Sequence, residues 1–309
     1  MQYFLNLPSD FFDKPAAWAK EMQRQGWSGI CASDHILVGS NPYPHVFATA
    51  AAMAAATDQI LITTSFANNL FRSPVEFAQA AMTLQMLSNG RFEAGIGAGW
   101  AEHEMLAMGL EYPDPSVRVS MYIEALTVVR ALLQNGQCQF AGEYYQIDIS
   151  GEFRLGPLPA TPPALIASAG GPRNIRESAP LVDRIEIKAA ARATRGGALD
   201  FATLATVTED EIKQNIERVQ TVNATVPISI FLLVAAGDTP TVRGLKEQFG
   251  NGFLSKFIGQ AEDVARALED LTTIGIDRVQ LTELIPGSHE NLRQFLCTEG
   301  RPDRSIPRS

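Results

Sequence analysis

The chain has 309 residues, 46% of them hydrophobic and 19% charged, and a formal net charge of −9. This acidic balance excludes a broad nucleic-acid surface, which needs a basic footprint to hold phosphates. Cys31, Cys138 and Cys297 are dispersed and odd in number, so neither a disulfide framework nor a C-x-x-C metal site is expected. The N-terminal stretch MQYFLNLPSDFFDK has no basic segment followed by an apolar one, and no apolar run approaches the roughly 18 residues of a membrane span. The expectation is a soluble cytoplasmic protein.

Short apolar, β-branched runs alternate with helical segments along the whole chain. The first strand is predicted over 1–7, followed by a helix over 13–25 that Gly26 ends. SGICASDH (28–35) is the second strand, and an Ala-rich helix follows at 45–57. ILITTSFA (60–67) is the third strand; the helix after it, 74–88, opens on Pro74 and carries apolar residues at helical spacing. RFEAGIGA (91–98) is the fourth strand. After a helix over 116–134, the alternating stretch 138–151 reads as a small hairpin insertion. Strands at 163–169, 183–190, 227–237 and 277–284 follow, with helices at 208–222, 260–273 and 288–296 and a loose tail from Arg301 to Ser309. Strands alternating with helices make a parallel sheet, and eight such units make a closed (β/α)8 TIM barrel more often than an open sheet. The chain is therefore expected to be one α/β domain, 1–309.

GIGAGW (95–100) raises the question of a nucleotide cradle. The dinucleotide fingerprint G-x-G-x-x-G needs its third glycine one residue later than Gly99, and an acidic residue about 20 positions on. A strand whose glycines permit close packing is the other reading, and the motif alone decides nothing. In a barrel, however, active-site residues stand at the C-terminal ends of the strands. That rule selects Ser33-Asp34-His35, Ser65-Phe66-Ala67-Asn68-Asn69, Gly97-Ala98-Gly99-Trp100, Ala169-Gly170-Gly171-Pro172-Arg173 and the surroundings of Glu283.

SDH at 33–35, LFRSPVEFAQAAMTLQMLSNGRFEAGIGAGWAEHEMLAMG at 70–109 and GGPR at 170–173 together resemble the luciferase-like monooxygenase superfamily, bacterial luciferase-like barrels. The Phe-Arg-x-Pro turn, the Leu-Ser-x-Gly-Arg helix end and the glycine-rich turn look like the branch that uses the deazaflavin coenzyme F420. The match covers about 25–135 and 163–173 and is poor from about 185 to 260. The resemblance implies a deazaflavin, or alternatively FMN, across the barrel mouth. It implies a cis peptide between Ser65 and Phe66 backing the ring, with Asp34 and Asn68 beside it. It also implies that the coenzyme phosphate is held by backbone amides around Ala98-Gly99 and Gly170-Gly171, since glycine turns and helix starts suit anions. Sugar-phosphate dehydrogenases of this branch have a glutamate where this chain has Trp100 and a tryptophan where it has Gly39, so that activity is not expected here.

His35, beside Asp34 at the rim, is the best general acid/base in the chain because its ordinary pKa lies near neutrality. Asp34 is read as fixing the imidazole tautomer or binding a polar edge of the ring. Trp100 either walls off the ring or packs the rim. Arg72 is read as supporting its loop, and Arg173 as phosphate contact or solvent-facing in equal measure. Glu104 and His103 are read as helix-surface charge, and His289 as a surface residue. Four histidines without paired spacing give no metal site. The stretches 189–208, with Arg192 and Arg195, and 237–253 are lid candidates by their length. The functional expectation is an F420-dependent oxidoreductase moving a hydride to or from an organic small molecule. The alternatives are an FMN-dependent two-component monooxygenase and a non-enzymatic flavin-binding protein. A homodimer is compatible with each.

Overall fold

A computed structural model describes residues 1–39, 41–189 and 191–297. Eight parallel strands form the barrel: β1 Gln2–Asn6, β2 Gly29–Ala32, β3 Leu61–Thr64, β4 Phe92–Gly97, β5 Ala164–Ala169, β6 Arg184–Lys188, β7 Ile228–Ala236 and β8 Arg278–Glu283. Each pairs with its sequence neighbour, β8 pairs with β1 and β4 with β5, so the sheet is closed. All eight predicted strands are present, with ends trimmed by at most three residues. The tail read from Arg301 to Ser309 lies outside the described residues, as does position 190 at the end of the expected sixth strand.

The strands alternate as a barrel requires. Ile185 and Ile187 of β6, and Leu165, Ala167 and Ala169 of β5, face the helices and are buried in the main apolar cluster. The intervening residues Glu186, Lys188 and Ser168 therefore face the bore. At its floor Arg278 of β8 forms a bidentate ion pair with Glu93 of β4 and stacks over Phe4, 4.1 Å from the ring centre. Because β4 and β8 stand on opposite sides of the ring of strands, this pair ties the barrel across its diameter.

The helices start and stop where local chemistry requires. Pro15, Pro74 and Pro115 each open one, Ser73 caps Val75 N–H, and Thr208 with Glu211 forms a capping box. The helix Pro115–Asn135 ends on Gly136 at φ 73°, a left-handed conformation that glycine adopts without a Cβ penalty. The hairpin insertion is present as Cys138–Ala141 paired with Gln146–Ile149. Its turn is organised by the Glu124 carboxylate, which accepts from the amides of Glu143, Tyr144 and Tyr145 at 2.7–3.0 Å.

Two lid readings change. The stretch 237–253 contains the helix Pro240–Phe249, with Val242 and Phe249 buried. Within 189–208, the 3-10 turn Ala191–Thr194 and the helix Phe201–Ala205 pack inward through Ala193 and Leu204, and Gly197 O accepts from Glu102 N–H at 3.0 Å. Length alone suggested lids; the buried apolar residues within these segments make them packed elements.

Candidate active site

The C-terminal ends of β2, β3 and β4 meet around His35. Its Nδ1 lies 2.7 Å from Glu104 Oε1. The Glu104 side chain is fully buried at the start of the helix Glu102–Ala107, and its Oε2 has no hydrogen-bond partner. As a carboxylate, Glu104 can only accept, which suits a proton on Nδ1 and leaves Nε2 as the ring nitrogen outside the pair. Tyr43 and Trp100 close on the imidazole edge-to-face, at ring-centre distances of 5.3 and 5.6 Å. The Trp100 carbonyl is fixed by Tyr112 Oη at 2.8 Å. A cavity of about 510 Å³ beside His35 is lined by Tyr43, His45, Phe71, Arg72 and Met108 among others.

This arrangement corrects two readings. Glu104 is the orienting acid of His35 and is buried; the sequence reading placed it on a helix surface, because a partner 69 residues away leaves no local pattern. Asp34, the sequence neighbour, turns away from the imidazole. It receives the Arg72 guanidinium through both oxygens and accepts from Asn68 N–H at 2.6 Å. Arg72 in turn stacks on Phe47, 4.9 Å from the ring centre. Adjacent residues at a strand end project in different directions, which is why proximity in sequence misled.

The peptide between Ser65 and Phe66 is cis. Phe66 then folds over β4: a Cβ on Gly95 would stand 2.2 Å from Thr64 O and 3.0 Å from the Phe66 ring, and one on Gly97 3.3 Å from Phe66 Cβ. The glycines of GIGAGW therefore make room first for the protein's own turn. Gly99 has φ 79°, and a Cβ there would meet Asn68 Oδ1 at 2.5 Å; at Gly170 it would meet Ala191 Cβ at 2.7 Å. Above Gly171 there is open space, and no side chain caps the helix Pro172–Ser178 that follows. Ala98 is half-buried against the apolar core. Arg173 pairs with Glu177 at 3.2 Å and donates to Ser116 O and Ser120 Oγ on the neighbouring helix. Asn69 reaches Tyr145 of the hairpin at 3.3 Å, which anchors the insertion beside the mouth.

Beneath the mouth the bore is polar. Gln280 of β8 directs its amide nitrogen to both Glu186 oxygens at 3.0 Å, and its oxygen to Asn6 Nδ2 at 3.3 Å and to Ser65 Oγ. Burial raises the Glu186 carboxyl to about 7, against the opposing pull of Ser229 and Arg278. Lys188, one layer nearer the rim, is partly buried, and burial holds its ammonium below the ordinary lysine range. Neither residue announced itself in sequence, since β6 reads only as an apolar run with charges. Two further expectations change. Glu283 caps the last helix, accepting from His289 N–H at 2.6 Å, and stands outside the bore. His289 is buried and held near pKa 3 by desolvation, so its 3.4 Å approach to Glu283 joins a neutral imidazole to a carboxylate. His103 is exposed, as read. Among the described residues no group of acidic, histidine or cysteine side chains is placed to hold a metal, and no helix is long and apolar enough to cross a membrane.

The family model described as luciferase-like monooxygenase matches residues 8–241. The chain belongs to that family. A curated relative, the F420-dependent glucose-6-phosphate dehydrogenase of Amycolatopsis mediterranei (strain U-32), is 30% identical over 159 residues, 50% of this chain and 47% of that protein. The F420-dependent hydroxymycolic acid dehydrogenase of Mycobacterium tuberculosis is 29% identical over 168 residues, 52% of this chain and 45% of that protein. The chain thus spans about half the length of the curated relatives it matches. Among solved structures, an F420-dependent secondary alcohol dehydrogenase in complex with an F420-acetone adduct superposes with TM-score 0.73 at 19% identity, covering 95% of this chain and 97% of that one. That likeness establishes the fold.

Proposed function

We propose that this protein is an F420-dependent oxidoreductase that transfers a hydride between the deazaflavin and a small organic molecule. The observation that carries the chemistry is the His35–Glu104 pair: an imidazole at a barrel mouth, hydrogen-bonded to a fully buried carboxylate. The coenzyme assignment is supported by the F420-dependent relatives, and the site fits such a group. Buried polar atoms without partners, Glu104 Oε2 and Ser168 Oγ, lie around the mouth, and the backbone at Gly171 is open.

The coenzyme supplies two-electron hydride chemistry. Ser65, Phe66 and Trp100 would bound its ring, and Asp34 and Asn68 would hold the turn beneath it. Ala98, Gly99, Gly170, Gly171 and Arg173 are proposed for its phosphate-bearing tail. His35 Nε2 takes the proton from a substrate hydroxyl, or returns it to a carbonyl oxygen, as the hydride moves. Glu104 keeps the imidazole in the required tautomer and stabilises the imidazolium that forms, as the acid of a catalytic triad does.

FMN is the alternative occupant, and would make the protein a monooxygenase. Titrating the purified protein separately with oxidised F420 and with FMN, followed by fluorescence quenching, decides between them. Saturable binding of F420 with none of FMN is the expected result. FMN binding alone would assign the monooxygenase reading, and binding of neither would overturn both.

A further inference from the structure

Lys188 is the last residue of β6 and faces the bore, because its neighbours Ile185 and Ile187 face the helices. It is nonetheless partly exposed, so solvent reaches it through the mouth. Among the described residues its ammonium makes no hydrogen bond and no close ion pair, while 15 close pairs with acids occupy arginines and lysines elsewhere in this acidic chain. The Glu186 carboxyl, two residues back along β6, attracts Lys188, but it is engaged by Gln280 and burial raises it to about 7, so near neutrality it supplies only part of a counter-charge.

A second orphan lies beside it. Ser168 of β5 is 4% exposed, and its Oγ has no partner. Ser168 stands in register with Glu186, one layer below Lys188 on the adjoining strand. A buried hydroxyl without a partner is unfavourable, and so is a cation taken partly out of water beside a carboxyl that only partly balances it. Two such donors on neighbouring strands, both facing the same opening, form a recognition site for an acceptor that brings negative charge.

We propose that Lys188 and Ser168 bind an anionic group of the substrate, a carboxylate or a phosphate, so that the substrate is a small organic acid anchored by its charged end across the mouth from His35. This rests on the oxidoreductase reading for the word substrate, but anion binding itself needs no coenzyme. The test is therefore made without it.

Isothermal titration of the coenzyme-free protein with hexanoate, with inorganic phosphate and with neutral hexanamide reads the site directly. Hexanoate or phosphate should bind and hexanamide should not; which of the two binds more tightly assigns the charged group. Lys188→Met should weaken the anion at least tenfold, Lys188→Arg should retain most of it, and Ser168→Ala should weaken it severalfold. Melting curves of each variant identify any loss that is only unfolding, in which case Lys188→Arg and Ser168→Ala carry the comparison. Equal anion affinity in the wild type and in folded Lys188→Met, or no anion binding in the wild type, would overturn the proposal. Failure of F420 to bind, with anion binding intact, would instead remove the oxidoreductase reading and leave the anion site standing.

Discussion

His35 and Glu104 illustrate how a reactive pair is built from residues without a shared motif. The imidazole comes from the end of β2 and the carboxylate from the helix beyond β4, and they meet at 2.7 Å only because those strands are near neighbours in the barrel. A positioned acid or base contributes roughly 10²–10⁴-fold to proton transfer. His35→Ala should lower the single-turnover rate by about that factor with little change in coenzyme affinity. Glu104→Gln keeps the shape but removes the charge that selects the tautomer, so its rate should fall between the wild type and His35→Ala. Stopped-flow single turnovers with affinity measured on the same samples check both; a wild-type rate in His35→Ala would exclude it from proton transfer.

At the scale of elements, the loop after β2 and the turn after β3 are joined by one buried ion pair. Asp34 receives both terminal nitrogens of Arg72 and the Asn68 amide, so a single carboxylate fixes the strand-end turn and the start of the helix Pro74–Leu87. Removing one partner of a buried pair leaves the other charge uncompensated, at a cost of about 3–5 kcal/mol. Asp34→Ala should lose about that much in urea denaturation, and Asp34→Asn less, since the amide still accepts from Asn68. A loss below about 1 kcal/mol would show that the pair is hydrated as surface pairs are.

Across the whole molecule, two buried ionisable groups give stability opposite pH dependences. Glu186 has its folded pKa raised to about 7, so its contribution is full below its unfolded value, about 4.5, and is lost as pH rises through 7. His289 has its folded pKa lowered to about 3; its contribution is full above about 6.5 and is lost as pH falls toward 3. Glu186→Gln should therefore gain on the wild type between about pH 4.5 and 7, by up to roughly 3 kcal/mol. His289→Leu should flatten the acid side of the profile. Denaturant midpoints measured from pH 4 to 8 read both slopes, and parallel curves for all three proteins would refute the assignment.

The architecture follows from local patterns in the chain. Alternating apolar runs and helical periodicity are local consequences of which face of each element is buried, so eight strands, the principal helices and the hairpin were legible from residues within each segment. The strand-end rule likewise placed His35, Asp34, Phe66 and Trp100 at the mouth, because chain direction fixes which end of a parallel barrel strand is which. The side-chain partnerships depend on the folded barrel. Glu104 was read as surface charge and is buried against His35; Asp34 serves Arg72; His289 is buried; and Gly95 and Gly97 of GIGAGW accommodate Phe66. Each of these depends on which side chain a distant strand delivers to a given point. A closed barrel sets those meetings by the register of all its strands together, which no single stretch of sequence contains.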